Sequence, residues 1–300
     1  MVCSMILPRF EFEAPSRLAE VCAWLAEAGD EARVLAGGTD LLLRMKRGEL
    51  APRLLLSLCR TNGLDQVETS AGGGVHIGSL ATMSRLAASR ALAGPWSAVA
   101  EGAAAVAGPV IRNRATVGGN IVNARPCADT VPPLMALGAQ LRLESARGAR
   151  TLELDGFISG PGETRRRADE ILTRIELSPL GGGGTGSCYL KTTRRAAMEV
   201  TLVGCAAAVT LDESREAIQR VRIVLTSVAP VLLRVSGVES ILENRVPSES
   251  AFREAADAAR RAAHPIDDHR APATYRLEVV EALTRRALHL AFQRAREATS

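Results

Sequence analysis

The stretch Ala115-Thr116-Val117-Gly118-Gly119-Asn120-Ile121 of this 300-residue chain has the composition of a backbone site for an anion. Consecutive glycines let backbone N–H groups approach a pyrophosphate closely, and a helix that starts behind them adds a favourable dipole. A stretch of similar form lies upstream, Val34-Leu35-Ala36-Gly37-Gly38-Thr39-Asp40-Leu41. We name residues 34–41 the first Gly loop and residues 115–121 the second Gly loop.

Each Gly pair alone is as consistent with an ordinary turn as with ligand binding. Two such loops, about 80 residues apart, suit an extended dinucleotide between two subdomains better than a mononucleotide at one loop. Neither loop has the G-x-G-x-x-G pattern, and the chain contains no G-x-x-x-x-G-K-[ST]. The sequence therefore predicts a nucleotide fold that is neither a Rossmann domain nor a P-loop domain.

Composition limits the class of protein. The length of 300 residues favours two domains, and 47% hydrophobic with 23% charged residues is ordinary for a globular protein. No apolar run reaches the roughly 20 residues that a membrane span needs, and the start of the chain lacks a secretory signal pattern, so we expect a cytoplasmic protein. The net charge of +4 is not gathered into a stripe, which argues against nucleic acid.

Metal ligands are not indicated by the spacing of cysteine and histidine. The six cysteines form no C-x-x-C pair, and the four histidines lack ligand spacing, so we expect no metal on this chain. A different feature is the rarity of lysine, since only Lys46 and Lys191 occur among 37 basic residues. A lysine retained in such a chain raises the question of whether a compact ammonium is needed there.

Apolar periodicity predicts the order of the elements. A Gly-rich run at 181–186 is interpreted as a domain boundary, because five glycines in six residues lose much entropy in a packed element. The second part is predicted to be α+β. Predicted strands are 33–36, 53–58, 75–78, 140–144, 150–154, 170–177, 188–191, 204–211 and 218–225, and predicted helices are 18–29, 41–47, 82–92, 95–106, 132–139, 248–263 and 275–295.

Several strings, in order along nearly the whole chain, resemble the FAD-binding (medium) subunit of the molybdenum hydroxylases, the xanthine dehydrogenase and carbon monoxide dehydrogenase family. The ordered series is far more specific than a Gly pair. The strings are residues 36–42, 111–121, Asp129, 169–172, 189–191 with 194–195, and 265–270 with 275–276.

The resemblance implies an α+β protein that binds FAD. Its first domain, 1–180, would have the vanillyl-alcohol-oxidase (PCMH) type of fold, divided into subdomains at about 1–58 and 59–180. A flavoprotein C-terminal domain would follow at 187–297. Val106 departs from relatives that have an aromatic residue there, so a stacking contact would be lost. The implied FAD contacts are Val34, Leu35, Ala36, Gly37, Gly38, Thr39, Asp40, Leu41, Val106, Thr116, Val117, Gly118, Gly119, Asn120, Asp129, Leu172 and Lys191.

The resemblance also implies a function as one subunit of a hetero-oligomer. A molybdopterin-binding large subunit would oxidise the substrate, and a small subunit with 2Fe-2S clusters would pass electrons to this FAD. The acceptor would be NAD+, a quinone, a carrier protein or oxygen. Relatives with an extra cluster carry a Cys-bearing insertion after the second Gly loop, and this chain has none. Two alternatives remain open: a free-standing FAD oxidoreductase of the same fold, and an assembly subunit without flavin.

Three side chains keep more than one interpretation. Lys191 is hypothesised to lie near the flavin and to favour its anionic reduced form, and the alternative is a solvated surface lysine. Asp40 and Asp129 bind cofactor hydroxyls in one interpretation and cap helices in the other. No residue is expected to act as a catalytic acid or base, because a flavin that relays electrons needs mainly position and electrostatics from the protein.

Overall fold

Three β-sheets follow one another along the chain, and a two-stranded ribbon accompanies the second. A computed structural model describes residues 6–181, 183–195 and 198–298 of the protein. Sheets and helices are segregated as expected for α+β architecture, which confirms the predicted fold class. Within those ranges, no helix is both long enough and apolar enough to cross a bilayer.

The first sheet has three parallel strands in the order β1-β3-β2. Its helix buries Val21 and Leu25 against Leu54 and Leu56 of the central strand, as the apolar spacing predicts. The strand Ala32–Leu35 of this sheet runs into the first Gly loop, and that loop leads into a short helix. The elements are β1 (Glu11–Glu13), α1 (Leu18–Ala28), β2 (Ala32–Leu35), α2 (Leu41–Lys46) and β3 (Leu54–Ser57).

The second sheet has five antiparallel strands in the order β4-β5-β10-β6-β7. The predicted hairpin at Gly148 and the strand from 170 to 177 are confirmed. The single helix predicted over 82–92 is wrong, because Ser89 is extended (φ −76°) between α3 and a 3₁₀ turn. The elements are β4 (Val67–Thr69), β5 (Val75–Gly78), α3 (Met83–Ala87), α4 (Ser97–Ala105), α5 (Pro109–Arg112), α6 (Val117–Asn123), α7 (Val131–Ala136), β6 (Gln140–Ser145), β7 (Gly148–Glu153), β8 (Ile158–Gly160), β9 (Glu163–Thr164) and β10 (Ile171–Leu177).

The third sheet has four antiparallel strands in chain order. One face buries Val209, Val221 and Ile223 beneath the two long helices, and the other face places Ala206 and Val224 in the core of the second sheet. The third sheet is therefore joined to the second by shared apolar packing. The elements are β11 (Gly184–Thr192), β12 (Val203–Leu211), β13 (Ile218–Thr226), β14 (Leu233–Arg234), α8 (Val238–Leu242), α9 (Glu249–Ala262) and α10 (Ala273–Glu297).

The second half of the Gly-rich run, which was interpreted as a domain boundary, lies in a packed strand. Gly184 and Gly186 belong to β11, and Gly182 lies outside the described residues. A Cβ on Gly186 would lie 2.1 Å from the carbonyl oxygen of Ala291 in α10. The glycines are thus required where a helix backbone packs directly on a strand, a contact that composition alone does not reveal.

Candidate cofactor site

The two Gly loops, distant in sequence, touch each other in the fold. A Cβ on Gly37 would lie 2.0 Å from the carbonyl oxygen of Arg114, immediately before the second loop. Gly38 has a φ of +76°, a conformation that favours glycine. Glycine at 37 therefore allows the first sheet to contact the second Gly loop, and glycine at 38 allows the chain to turn into α2.

The first Gly loop presents a run of free backbone donors. Among the described residues, the N–H groups of residues 37–41 have no hydrogen-bond acceptor. The loop carbonyls are engaged, since Gly38 accepts from Leu42 and Asp40 accepts from Arg44. The loop is mostly half-buried, so its free N–H groups need an acceptor from water or a ligand. Five adjacent donors of this kind suit the oxygens of a pyrophosphate.

The second Gly loop is built differently from the predicted strand–glycine–helix arrangement. Its glycines lie in the first turn of α6, where the Thr116 hydroxyl accepts from the Gly119 N–H at 3.2 Å. A Cβ on Gly118 would lie 2.7 Å from Ser79, so this glycine serves close packing.

The N–H groups from Val117 to Asn120 are all used within the chain, with acceptors on Ala81, Ser79 and Thr116. The glycines of the second loop therefore contribute shape to the site and do not form a run of free backbone donors like that at residues 37–41.

Asn120 connects the second loop to a more distant part of the site. Its Oδ1 accepts from the Thr130 hydroxyl at 2.7 Å, next to Asp129 in the chain. This hydrogen bond uses the amide oxygen and fixes the orientation of the side chain, so the NH₂ group of Asn120 remains as a donor.

Two cavities, with about 790 and 780 Å³ of empty space including their mouths, meet at the Gly loops. Both have a size that is usual for ligand sites. They share Val34, Ala36, Gly119 and Val122, so together they form one elongated cleft between the first sheet and the second. The cleft is lined by twelve of the predicted contacts, namely Val34, Ala36, Gly37, Gly38, Thr39, Asp40, Leu41, Thr116, Gly118, Gly119, Asn120 and Leu172.

One cavity is mainly apolar but carries two guanidinium groups. Leu25, Leu80 and Leu172 form its walls, and Arg33 and Arg166 complete the lining. Arg166 Nη1 donates to three backbone carbonyls at 2.7–3.1 Å, which holds the guanidinium in place. Burial, together with the nearby charge of Arg33, lowers the pKa of Arg166. This cavity suits a flat, mainly apolar ring with polar edges.

Asp129 is the centre of a buried polar cluster beyond Asn120. Its Oδ1 accepts from the Tyr189 hydroxyl at 2.7 Å and from the Thr201 hydroxyl at 2.6 Å. Its Oδ2 lies 3.0 Å from Lys191 Nζ, which also donates to the Ala105 carbonyl at 2.6 Å. Burial, and then the charge of Asp129, raise the pKa of Tyr189 well above its usual value. Tyr189 is thus a fixed hydrogen-bond donor to the carboxylate.

Three predicted contacts lie at this cluster, namely Val106, Asp129 and Lys191. Two others, Leu35 and Val117, lie elsewhere. Val106 directly follows Ala105, whose carbonyl holds Lys191 beside Asp129. Val117 is fully buried in the core of the second sheet, and Leu35 lines neither cavity. Sequence reasoning missed the roles of Tyr189 and Thr201. The Tyr189–Lys191 string contained a signal for the former, and nothing in the sequence marked the latter.

Family models match both parts of the chain. A model described as the FAD binding domain in molybdopterin dehydrogenase matches residues 8–179, and the CO dehydrogenase flavoprotein C-terminal domain matches residues 188–291. The chain belongs to the family of FAD-binding subunits of the molybdenum hydroxylases. This flavoprotein subunit family consists of oxidoreductase components, and its cofactor is FAD.

Individual relatives agree with this assignment over almost the full length. The carbon monoxide dehydrogenase medium chain of Hydrogenophaga pseudoflava is 34% identical over 290 residues, covering 97% of this chain and 99% of the relative. The xanthine dehydrogenase FAD-binding subunit of Escherichia coli O157:H7 is 29% identical over 282 residues, covering 93% and 96%. A carbon monoxide dehydrogenase structure from H. pseudoflava superposes with a TM-score of 0.90 at 32% identity, covering 97% and 99%.

The residues present fit the cofactor of the family. A dinucleotide has a dianionic centre and two ring systems at its ends. The free N–H groups of residues 37–41 line one of the two joined cavities, next to Ala36, which lines both, so the donor run and the two connected spaces suit that shape.

Proposed function

We propose that this flavoprotein subunit transfers electrons within a molybdopterin-dependent hydroxylase or dehydrogenase complex. It would receive electrons from the iron–sulfur clusters of a small subunit and pass them to NAD+ or another acceptor, while a molybdopterin-binding large subunit oxidises the substrate. Relatives named as medium chains and as an FAD-binding subunit support this role. We also propose the division into domains 1–180 and 187–297, which the ranges of the two family matches support.

The observation that carries the proposal is the run of N–H groups at residues 37–41, which have no acceptor in the part of the chain that the structure describes. We assign to it the two phosphates of FAD, because oriented backbone donors bind phosphate without a compensating side-chain charge. Thr116 and Asn120 would complete this part of the site from the second loop. The required donors are already oriented by β2 and α2, which lowers the entropic cost of binding.

The two cavities differ in chemistry and so suggest which ring each would hold. The apolar cavity with Leu172 and Arg166 suits the adenine, since a guanidinium can lie against a π-system. The other cavity opens towards Asn120, which Thr130 connects to Asp129. We therefore place the flavin end towards Val106, Asp129 and Lys191.

Lys191 would supply the electrostatics at the flavin end. FAD, when bound, supplies a carrier that accepts electrons singly and can release them as a pair. The ammonium of Lys191 has three donors, of which Ala105 and Asp129 each accept one. The remaining N–H donor of the ammonium is available to stabilise negative charge that develops nearby. Asp129 keeps this ammonium in place through charge and a hydrogen bond.

Purification of the full chain with FAD reconstitution tests the proposal. We expect a visible flavin spectrum with one FAD per chain, and co-purification with cluster-bearing partners when the native complex is isolated. The substrate should reduce the flavin of the native complex and should not reduce the flavin of the purified chain alone. A chain that takes up no flavin would indicate an assembly subunit, and reduction by a small donor without partners would indicate a free-standing oxidoreductase.

A further inference from the structure

A second cleft lies at the opposite end of β11 from Lys191. It holds about 1000 Å³ of empty space, open to solvent, at the junction of the second and third sheets. Its walls come from both sides of the junction, with Leu137 and Leu180 on one side. The third sheet contributes Thr185, Thr210, Arg220 and Arg222.

The pleat of β13 places both arginines on one face. Thr210 pairs with Arg220 and Ala208 pairs with Arg222 across the β12–β13 ladder. Alternate strand residues share a face, and their Cα atoms are roughly 6.6 Å apart. The intervening Val221 is buried in the core on the other face. Two guanidinium groups therefore extend from neighbouring positions into the same cleft.

Arg222 is half-buried without a partner. Among the described residues, neither Arg222 nor Arg220 forms a side-chain hydrogen bond or an ion pair, and both line the cleft. A Cβ on Gly138, which has a φ of +73°, would lie 2.8 Å from Arg222 Nη1, so glycine makes room for the guanidinium. Burial, and then the charges of Arg220 and Arg234, lower the pKa of Arg222. A partly desolvated guanidinium without an acceptor is unfavourable, and an anion would relieve that cost.

Of the three nearby carboxylates, Glu243 and Asp155 accept hydrogen bonds from other groups. Glu243 also lines the cleft, and its Oε1 accepts from the Val221 N–H at 3.0 Å. In the adjoining cavity, Asp155 accepts from Arg234 at 2.9 Å, and Glu153 lies further along that wall. Neither Asp155 nor Glu153 forms an ion pair with Arg222. The arginines therefore keep their donors available to the cleft.

A cross-strand hydroxyl pair adds a neutral donor. The Oγ1 atoms of Thr185 and Thr210 lie 2.9 Å apart, and one of them must donate to the other. Their two hydroxyl protons thus leave one for a ligand. Thr210 stands beside Arg220 in the ladder, so this donor lies on the same face as the guanidinium groups.

We propose that this cleft binds a small oxyanion of the phosphate class between Arg220 and Arg222, with a threonine hydroxyl as an additional donor. Arginine binds phosphate oxygens in pairs through its planar fork of N–H groups. The site is separate from the candidate FAD cleft, since the two share no lining residue.

Isothermal titration of the FAD-loaded full chain with inorganic phosphate, at constant ionic strength, tests the proposal. Wild-type protein should bind phosphate saturably at one site per chain. Arg222→Gln and Arg220→Gln should each weaken binding about tenfold or more, as expected for loss of a charge-assisted hydrogen bond. Arg286→Gln removes an exposed arginine on α10 and should leave the affinity unchanged.

Folding is checked by the flavin content and thermal unfolding of each variant. If Arg222→Gln fails to fold, Arg220→Gln decides the matter, because Arg220 is exposed. The proposal is overturned if the wild type shows no saturable phosphate binding. It is also overturned if both arginine variants bind as the wild type does, which would place the phosphate elsewhere on the chain.

Discussion

Lys191 Nζ lies 3.0 Å from Asp129 Oδ2, in a setting where the two side chains are only 17% and 10% exposed. The sequence separation of 62 residues means that the third sheet brings this charge pair together at the end of the cleft. Removing an ion pair from water costs free energy unless further hydrogen bonds satisfy its charged groups. Here Asp129 also accepts hydrogen bonds from Tyr189 and Thr201.

Replacement of Lys191 by Met tests whether this ammonium acts on the cofactor. The variant should lower the midpoint potential of bound flavin, because a positive charge that favours the electron-rich state is lost. Potentiometry of the FAD-loaded chain measures the effect. Lys46→Met is the matched control, since the other lysine is exposed on α2. An unchanged potential and unchanged FAD occupancy in the Lys191 variant would contradict the proposed role.

Replacement of Tyr189 by Phe removes one of the two hydroxyl donors to Asp129 Oδ1. We expect a loss of roughly 1.5 to 3 kcal/mol in the free energy of unfolding, as for a hydrogen bond to a charged group. Denaturant titration measures it. Tyr275→Phe, on a tyrosine that is 45% exposed, should change the unfolding free energy little. Equal effects of the two substitutions would mean that the buried bond contributes nothing specific.

Alanine at Gly37 tests the contact between the Gly loops. The added Cβ would lie 2.0 Å from the Arg114 carbonyl oxygen, so the loops must separate and the N–H groups of the first loop must shift. FAD affinity should fall about tenfold or more by flavin fluorescence titration. Gly237→Ala, at a position with φ −92° and no atom within 4 Å of the new Cβ, should keep full affinity. Full affinity in Gly37→Ala would remove the basis for this contact.

Asp268 should make stability depend on acid pH. Its carboxylate forms ion pairs with Arg270 at 2.6 Å and with the buried Arg276 at 2.8 Å. The hydrogen bond from Arg270, and then the charge of Arg276, hold the pKa of Asp268 well below its usual value. The stabilisation is therefore complete above about pH 5, starts to decline near the ordinary Asp pKa of about 4, and is lost progressively as the pH falls on towards the lowered pKa of the folded state.

The matching measurement compares Asp268→Asn with the wild type by urea unfolding. The variant should be less stable near neutral pH, and the difference should shrink as the pH falls towards about 3. Glu254→Gln, at an exposed position on α9, should show no such pH-dependent difference. A stability difference for Asp268→Asn that is constant with pH would contradict the assignment.

Much of the fold followed from local pattern, but several features of the site did not. The strand before Gly37 and the helix containing Val21 and Leu25 were predictable, because burial repeats at the period of each element. The packing of Gly186 against α10 was not, since it depends on a helix that is about 100 residues distant. Composition there indicated a domain boundary, whereas close packing of two backbones also requires glycine.

The hydrogen bonding of the two Gly loops also could not be predicted from the sequence. Their similar sequences predicted similar backbone sites, yet among the described residues the run of free N–H groups at 37–41 has no counterpart at 117–120. The acceptors that engage the second loop include Ala81 and Ser79, which are local in space but not adjacent in sequence. Similarly, Thr201 reaches Asp129 across 72 residues and carried no sequence signal. Hydrogen-bond accounting of a loop needs the tertiary structure.

Amide hydrogen exchange with and without FAD tests the assignment of the phosphates to the first Gly loop, because it observes the assigned donors themselves. FAD binding should slow exchange at residues 37–41, whose N–H groups have no acceptor among the described residues, and should change residues 117–120 little, since these are already bonded. Unchanged exchange at 37–41 in a chain fully loaded with FAD would contradict the assignment of the phosphates to the first Gly loop.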